Sequence, residues 1–104
     1  MERPEAKIQE AIIKFLRNKE WWCRHLHGNT YQTGFPDLFC THAKYGHRFV
    51  EVKNPLAYRF TAAQMEVFPQ ICANGSGVWV MVAATEDEYL KLFKSPNWYA
   101  YLKL

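Results

Sequence analysis

The sequence predicts an α/β domain, a mixed β-sheet flanked by helices in the order α-β-β-β-α-β-α. Three observations carry that expectation. Helical stripes of apolar residues open the chain and recur after Thr61; short β-rich runs lie between them; and the last β-run follows a helix, as a crossover to a parallel strand requires. A chain of 104 residues has room for one continuous core, so a single domain over 1–104 is expected.

The first helix is read from Pro4 to about Lys19. Ile8, Ile12, Phe15 and Leu16 form one stripe, and Pro4 stands at a first-turn position that tolerates the missing N–H. Trp21 to Leu26 reads as a strand, and the polar, glycine-flanked segment His27 to Gly34 as an exposed loop and a contact surface. Asp37 to Thr41 and Arg48 to Lys53 are β-rich, and Gly46 between them suits the turn of an antiparallel hairpin. Thr61-Ala62-Ala63-Gln64 has the form of a capping box; Met65, Phe68 and Cys72 follow at helical spacing, Pro69 is expected to kink or shorten this second helix, and Asn74-Gly75 to stop it. Val78 to Ala83 is continuously apolar, the pattern of a strand buried on both faces and central in its sheet. Thr85-Glu86-Asp87-Glu88 caps a third helix running to about Lys94, and the aromatic tail from Trp98 to Leu104 takes no assignment.

Composition excludes several classes. With 49% hydrophobic and 16% aromatic residues the chain is too apolar to be disordered. A net charge of +3 suits an anionic partner without the excess of a histone-like binder. Cys23, Cys40 and Cys72 are odd in number and widely spaced, and no signal-like leader is visible, so a reducing, cytoplasmic setting is expected. The longest apolar run, near Val78 to Ala84, falls well short of the roughly 20 residues that span a bilayer, so no membrane partner is expected.

Charged residues inside the best strands carry the chemistry. Strand side chains alternate faces, so Glu51 and Lys53 point together while Val50 and Val52 point the other way. An antiparallel hairpin brings Asp37, at the start of one strand, beside Glu51 near the end of the next. Two neighbouring carboxylates repel unless a positive charge lies between them, and a hard divalent cation such as Mg²⁺ accepts oxygen ligands of this kind. Glu5 falls on the core-facing stripe of the first helix with Ile8 and Ile12, and can reach the same site directly or through water, with Gln9 one turn along.

Gly34-x-Pro36-Asp37, then Glu51-x-Lys53, then Gln64 at a helix start, together resemble the PD-(D/E)xK nuclease superfamily, most closely its VRR-NUC branch. The likeness covers nearly the whole chain, from Glu5 through Val80. It implies a restriction-endonuclease-like fold and Mg²⁺- or Mn²⁺-dependent cleavage of DNA phosphodiesters, with no small-molecule cofactor. By position, Asp37 and Glu51 would hold the metal with the Val52 carbonyl and Glu5; Lys53 would be the catalytic lysine and Gln64 the family's helix glutamine. Stand-alone members resemble junction-resolving homodimers, which implies branched DNA such as a four-way (Holliday) junction, whose two-fold symmetry a C2 dimer matches.

Other readings of the same residues remain open. Glu51 and Lys53 suit a plain ion pair, Gln64 a cap, and Glu5 a helix N-terminal acid. Lys7, Lys44, Arg48 and Arg59 are candidate DNA contacts, as are Arg24, His25, His27, His47 and Tyr58, although scattered basic residues usually form a solvated surface. Such a surface on its own would make a non-catalytic DNA-binding module. Cys23, His25, Cys40 and His42 alternate onto strand faces and would suit a zinc-stabilised interaction domain, although no CxxC or HxxxH pair is present. Trp21, Trp22, Trp79 and Trp98 to Tyr101 read as core or subunit contact rather than as base-stacking platforms.

Overall fold

A computed structural model describes residues 4–26 and 33–102, so the expected contact loop from His27 lies outside the described residues except at Thr33 and Gly34. Helix α1 (Pro4–Asn18) buries Ile12, Ile13 and Leu16, with Ile8 and Phe15 half-buried beside them. The Leu16 carbonyl accepts from the Trp21 N–H, which hands the chain from helix to strand β1 (Trp22–His25). Strands β2 (Leu38–His42) and β3 (Gly46–Val52) form the expected hairpin, with Leu38 opposite Val50 and His42 opposite Gly46. Gly46 closes that turn at φ 81°, a left-handed conformation in which most side chains are strained. Asp37 and Lys53, expected inside these strands, stand one residue outside them.

Helix α2 (Ala62–Ala73) carries the expected capping box: the Thr61 hydroxyl accepts from the Gln64 N–H, and the Gln64 side chain accepts from the Thr61 N–H. The helix runs through Pro69 to Ala73 rather than ending there. Its buried stripe begins at Gln64 and continues to Phe68, so Met65, expected inside, is exposed. The inward face starts on a polar residue, which a search for apolar spacing passes over.

Strand β4 (Val78–Met81) pairs parallel to β3, with Val50 opposite Trp79, and the sheet order is β1-β2-β3-β4. The expectation that β4 lies centrally is therefore corrected: it is an edge strand whose outer side is covered by side chains. The Val80 N–H donates to Asn97 Oδ1 at 2.7 Å and the Val82 N–H to Glu88 Oε1 at 2.9 Å. Covering an edge in this way removes the unpaired donors that would otherwise recruit another strand. Helix α3 (Glu86–Leu90) is shorter than expected and passes into a 3₁₀ turn at Lys91–Phe93. The unassigned tail supplies a second 3₁₀ turn at Trp98–Tyr101, which seats Trp98 in the core.

The two sheet faces build separate clusters. Leu38, Cys40, Val50, Val52, Trp79 and Met81 pack against α1 and α3. Val78 and Val80 pack on the other face against Phe68 of α2 and Trp98. No helix among the described residues is long and apolar enough to cross a membrane.

Candidate functional site

Register puts Asp37 and Glu51 on one face: Leu38 lies opposite Val50, so the pair one step further along, Asp37 and Glu51, face each other at the sheet's end. The Asp37 N–H donates to Glu51 Oε1 at 3.1 Å, and Asp37 Oδ2 accepts from the Val52 N–H at 2.8 Å. Each carboxylate is thus held by the backbone beside the other. Lys53 Nζ lies 3.0 Å from Glu51 Oε2 and donates to the Arg59 carbonyl at 2.9 Å and to Gln64 Oε1 at 3.3 Å. All three ammonium hydrogens have acceptors, and the Phe60 ring lies 4.6 Å from the nitrogen. Gln64 Nε2 completes the cluster by donating to Glu51 Oε2 at 2.8 Å.

Glu51 is 1% exposed and Lys53 4%. Burial, and then the Asp37 charge, push the Glu51 carboxyl up to about 7 against the opposing pull of Lys53 and Gln64. A buried ion pair of this kind seldom adds stability over apolar residues of the same volume, so its presence points to chemistry.

Two local features bring the strands and α2 together. Gly34 has φ 86°, and a Cβ built there would sit 2.7 Å from the Ala63 carbonyl oxygen. Only glycine lets the Gly34-Phe35-Pro36-Asp37 turn close against the start of α2, where Gln64 stands. After Lys53, Asn54 Oδ1 accepts from the Leu56 N–H at 3.0 Å, a side-chain-stabilised turn that leads the chain back to Arg59 and Phe60 beneath the amine.

Asp37, Glu51, Lys53 and Gln64 are therefore brought together. Gln64 serves both readings at once, capping α2 with its oxygen and holding Glu51 with its nitrogen. Glu5 is half-buried in the first turn of α1, a helix that packs on the opposite face of the sheet. Of the basic candidates, Lys7, Lys44 and Arg59 are exposed. Arg48 is committed elsewhere: it donates to the carbonyls of Leu92, Tyr45 and His47 and stacks over Trp79. Sequence reasoning missed the Arg59 carbonyl and the Phe60 ring, for which no local pattern exists, and the steric need for Gly34, for which the glycine itself was the signal.

Among the described residues no three His, Cys, Asp or Glu side chains group as a metal site. For zinc this removes the four-ligand cluster: Cys23 and Cys40 are buried cross-strand partners in the core, and His42 Nδ1 accepts from the Lys44 N–H. The donor set at Asp37 and Glu51 is two carboxylates beside the Val52 peptide. That fits Mg²⁺ or Mn²⁺, because Mg²⁺ is commonly bound through one or two carboxylates and keeps much of its water.

Fold and cluster define a class: an α/β domain whose antiparallel meander and parallel crossover converge on two carboxylates and a buried lysine at one end of the sheet. No protein-family model matches the chain, and no curated protein does. Among solved structures, one titled VRR_NUC domain matches with a TM-score of 0.68 and 18% identity, covering 86% of this chain and 94% of its own. At that identity the likeness is one of fold, and the chain adopts the fold of a VRR_NUC domain.

Proposed function

We propose that the protein is a nuclease, a Mg²⁺- or Mn²⁺-dependent endonuclease that hydrolyses DNA phosphodiesters, with branched DNA such as a four-way junction as substrate and a homodimer as the working form. One observation carries the reading: a buried glutamate whose carboxyl is pushed up to about 7 by burial and a facing aspartate, with a fully hydrogen-bonded lysine on the same side of the strand. The VRR_NUC fold supports the same class of chemistry.

A cation held by Asp37 and Glu51 supplies, when bound, an activated water and charge neutralisation at phosphate. The protein's own residues do the rest. Lys53 is held in place by Arg59, Gln64 and Glu51, so its charge needs little reorganisation, which is the condition for stabilising developing negative charge. Gln64 and Lys53 hold Glu51 Oε2 and the Val52 N–H fixes one oxygen of Asp37, so the two facing carboxylates are held side by side. Glu5, half-buried at the start of α1, is assigned as an outer carboxylate reaching the site through water.

The test incubates wild type, Asp37→Ala and Lys53→Ala with labelled four-way junction, flap and linear duplex, in Mg²⁺ or EDTA. Cutting of the junction by wild type in Mg²⁺ alone, lost in both variants, is expected. No cutting of any substrate overturns the enzyme reading, and preference for linear duplex overturns the junction reading. Sedimentation of the wild type tests the dimer.

A further inference from the structure

The sheet face bearing Asp37 and Glu51 is covered over only part of its width. Phe68 and Trp98 close over Val78 and Val80, with Phe49 at the border of that cluster. Register fixes what stands on the remainder: Trp22 and Arg24 from β1, Phe39 and Thr41 from β2, His47 and Phe49 from β3. Trp22 is 51% exposed, and Arg24 and His47 are also exposed, so among the described residues this half lies open. Of the expectation that Trp21 and Trp22 are core or subunit contact, the core part holds for Trp21, which is buried, and not for Trp22.

The side chains form a continuous ladder. Trp22 meets Phe39 at 6.4 Å between ring centres, Phe39 meets Phe49 at 5.6 Å, and His47 stacks on Phe39 at 5.9 Å with planes 22° apart. The Arg24 guanidinium lies 5.1 Å from the centre of the Trp22 ring. On their strands, Phe39 and Phe49 each stand two residues from the facing carboxylates, a distance of about 7 Å along an extended chain. That is roughly the length of one nucleotide step in an extended single strand.

We propose that this open half-face is a stacking platform for the bases of an unpaired, single-stranded DNA segment, which leads its backbone onto Asp37 and Glu51. The direction of the strand rests on the nuclease reading; the binding does not. Aromatic faces accept any base, and an arginine beside them adds both stacking and charge. Charge argues for a polyanion as the occupant: the strand residues on this half include the exposed Arg24 and no acid.

The test is anisotropy in EDTA, with a labelled single-stranded oligothymidylate and an abasic oligonucleotide of the same length, against wild type, Trp22→Ala and Trp22→Phe. Trp22→Ala should weaken oligothymidylate binding about ten- to a hundredfold, leave abasic binding unchanged, and be largely rescued by Trp22→Phe. Equal loss on both oligonucleotides, no loss, or no binding by the wild type overturns the proposal. So does a dimer that Trp22→Ala converts to monomer, which would assign the patch to a second copy. Because cutting plays no part, a wild type that binds in this base-dependent way yet cleaves nothing in Mg²⁺ would sink the nuclease reading and leave the platform standing.

Discussion

On one face of the sheet, Cys23, Leu38, Cys40, Val50, Val52 and Met81 meet α1 and α3 in an almost wholly apolar layer. One residue further along the same strands, Asp37 and Glu51 turn to the other face and meet Lys53 and Gln64 in a buried polar cluster. The strands are shared, so the contrast isolates what each face does. The first buries apolar area and holds the fold together. The second sets a buried carboxylate and a half-buried one, which repel each other, beside a buried lysine held by hydrogen bonds, an ion pair and the Phe60 ring, an arrangement that stability alone does not favour. The stability supplied by one face permits the strained electrostatics of the other.

The sharpest way to break this contrast is Asp37→Asn. The amide oxygen can still accept from the Val52 N–H, while the charge that pushes Glu51 upward is gone. Cleavage is expected to fall at least ~10²–10³-fold, the scale of losing one preorganised electrostatic group. Thermal stability at pH 8 in EDTA is expected to rise, because Glu51 can then ionise against Lys53 without a like charge beside it. A variant that melts lower than wild type under those conditions would show that the cluster supports the fold after all.

The complementary change is on the apolar side. Leu16, fully buried under the sheet, should behave as an ordinary core residue, and Leu16→Ala is expected to destabilise by about 2–5 kcal/mol in urea denaturation. The Glu51 titration, followed by carbon NMR of the carboxyl, should not move. A shift in it would mean that the two faces are coupled through the strands.

Acidity gives an intermediate effect. In the fold the Glu51 carboxyl keeps its proton up to about pH 7, whereas in the unfolded chain it ionises from its ordinary value of 4.5. Between those values the folded state holds a proton that the unfolded state has released, so stability is expected to fall as pH rises through that window, by up to ~3 kcal/mol at 1.36 kcal/mol per unit. A divalent cation competes with that proton, so its stabilising effect in EDTA-versus-Mn²⁺ denaturation should be larger at pH 8 than at pH 6. A flat profile in EDTA, or a cation effect independent of pH, would contradict the assignment.

The polar face was legible in the sequence where the signals were local. Asp37, Glu51 and Lys53 stood out because charges interrupt β-rich runs, and alternation alone placed Glu51 and Lys53 on one side. Thr61 and Gln64 announced a capping box, and the hairpin followed from Gly46. What escaped notice depends on residues distant in sequence. The Phe60 ring and Arg59 carbonyl reach Lys53 only after a loop has turned back, and the exposure of Trp22 reflects which part of the face α2 happens to cover. Arg48 reads as a free cation until its carbonyl partners are folded around it. The position of β4 misled for the same reason: its four buried residues look central, although it lies at an edge.

That edge yields the smallest expected effect and the most local one. Asn97, seventeen residues beyond Val80, accepts from the Val80 N–H at 2.7 Å and so stands where a neighbouring strand would. Its own amide lies 3.5 Å from the Val80 carbonyl, the long side of the same mimicry. Asn97→Ala removes the acceptor from a buried donor, which is expected to lower stability by about 1–3 kcal/mol in urea denaturation. Asn97→Asp keeps the acceptor and should lose less. Because β4 pairs with β3 through Glu51 opposite Val80, the contrast between faces is sharpened by where the loss stops. If the edge is a purely structural device, cleavage by Asn97→Ala at a temperature where the protein remains folded should match wild type; a drop there would mean that the register of β3, and with it the two carboxylates, depends on the capped edge.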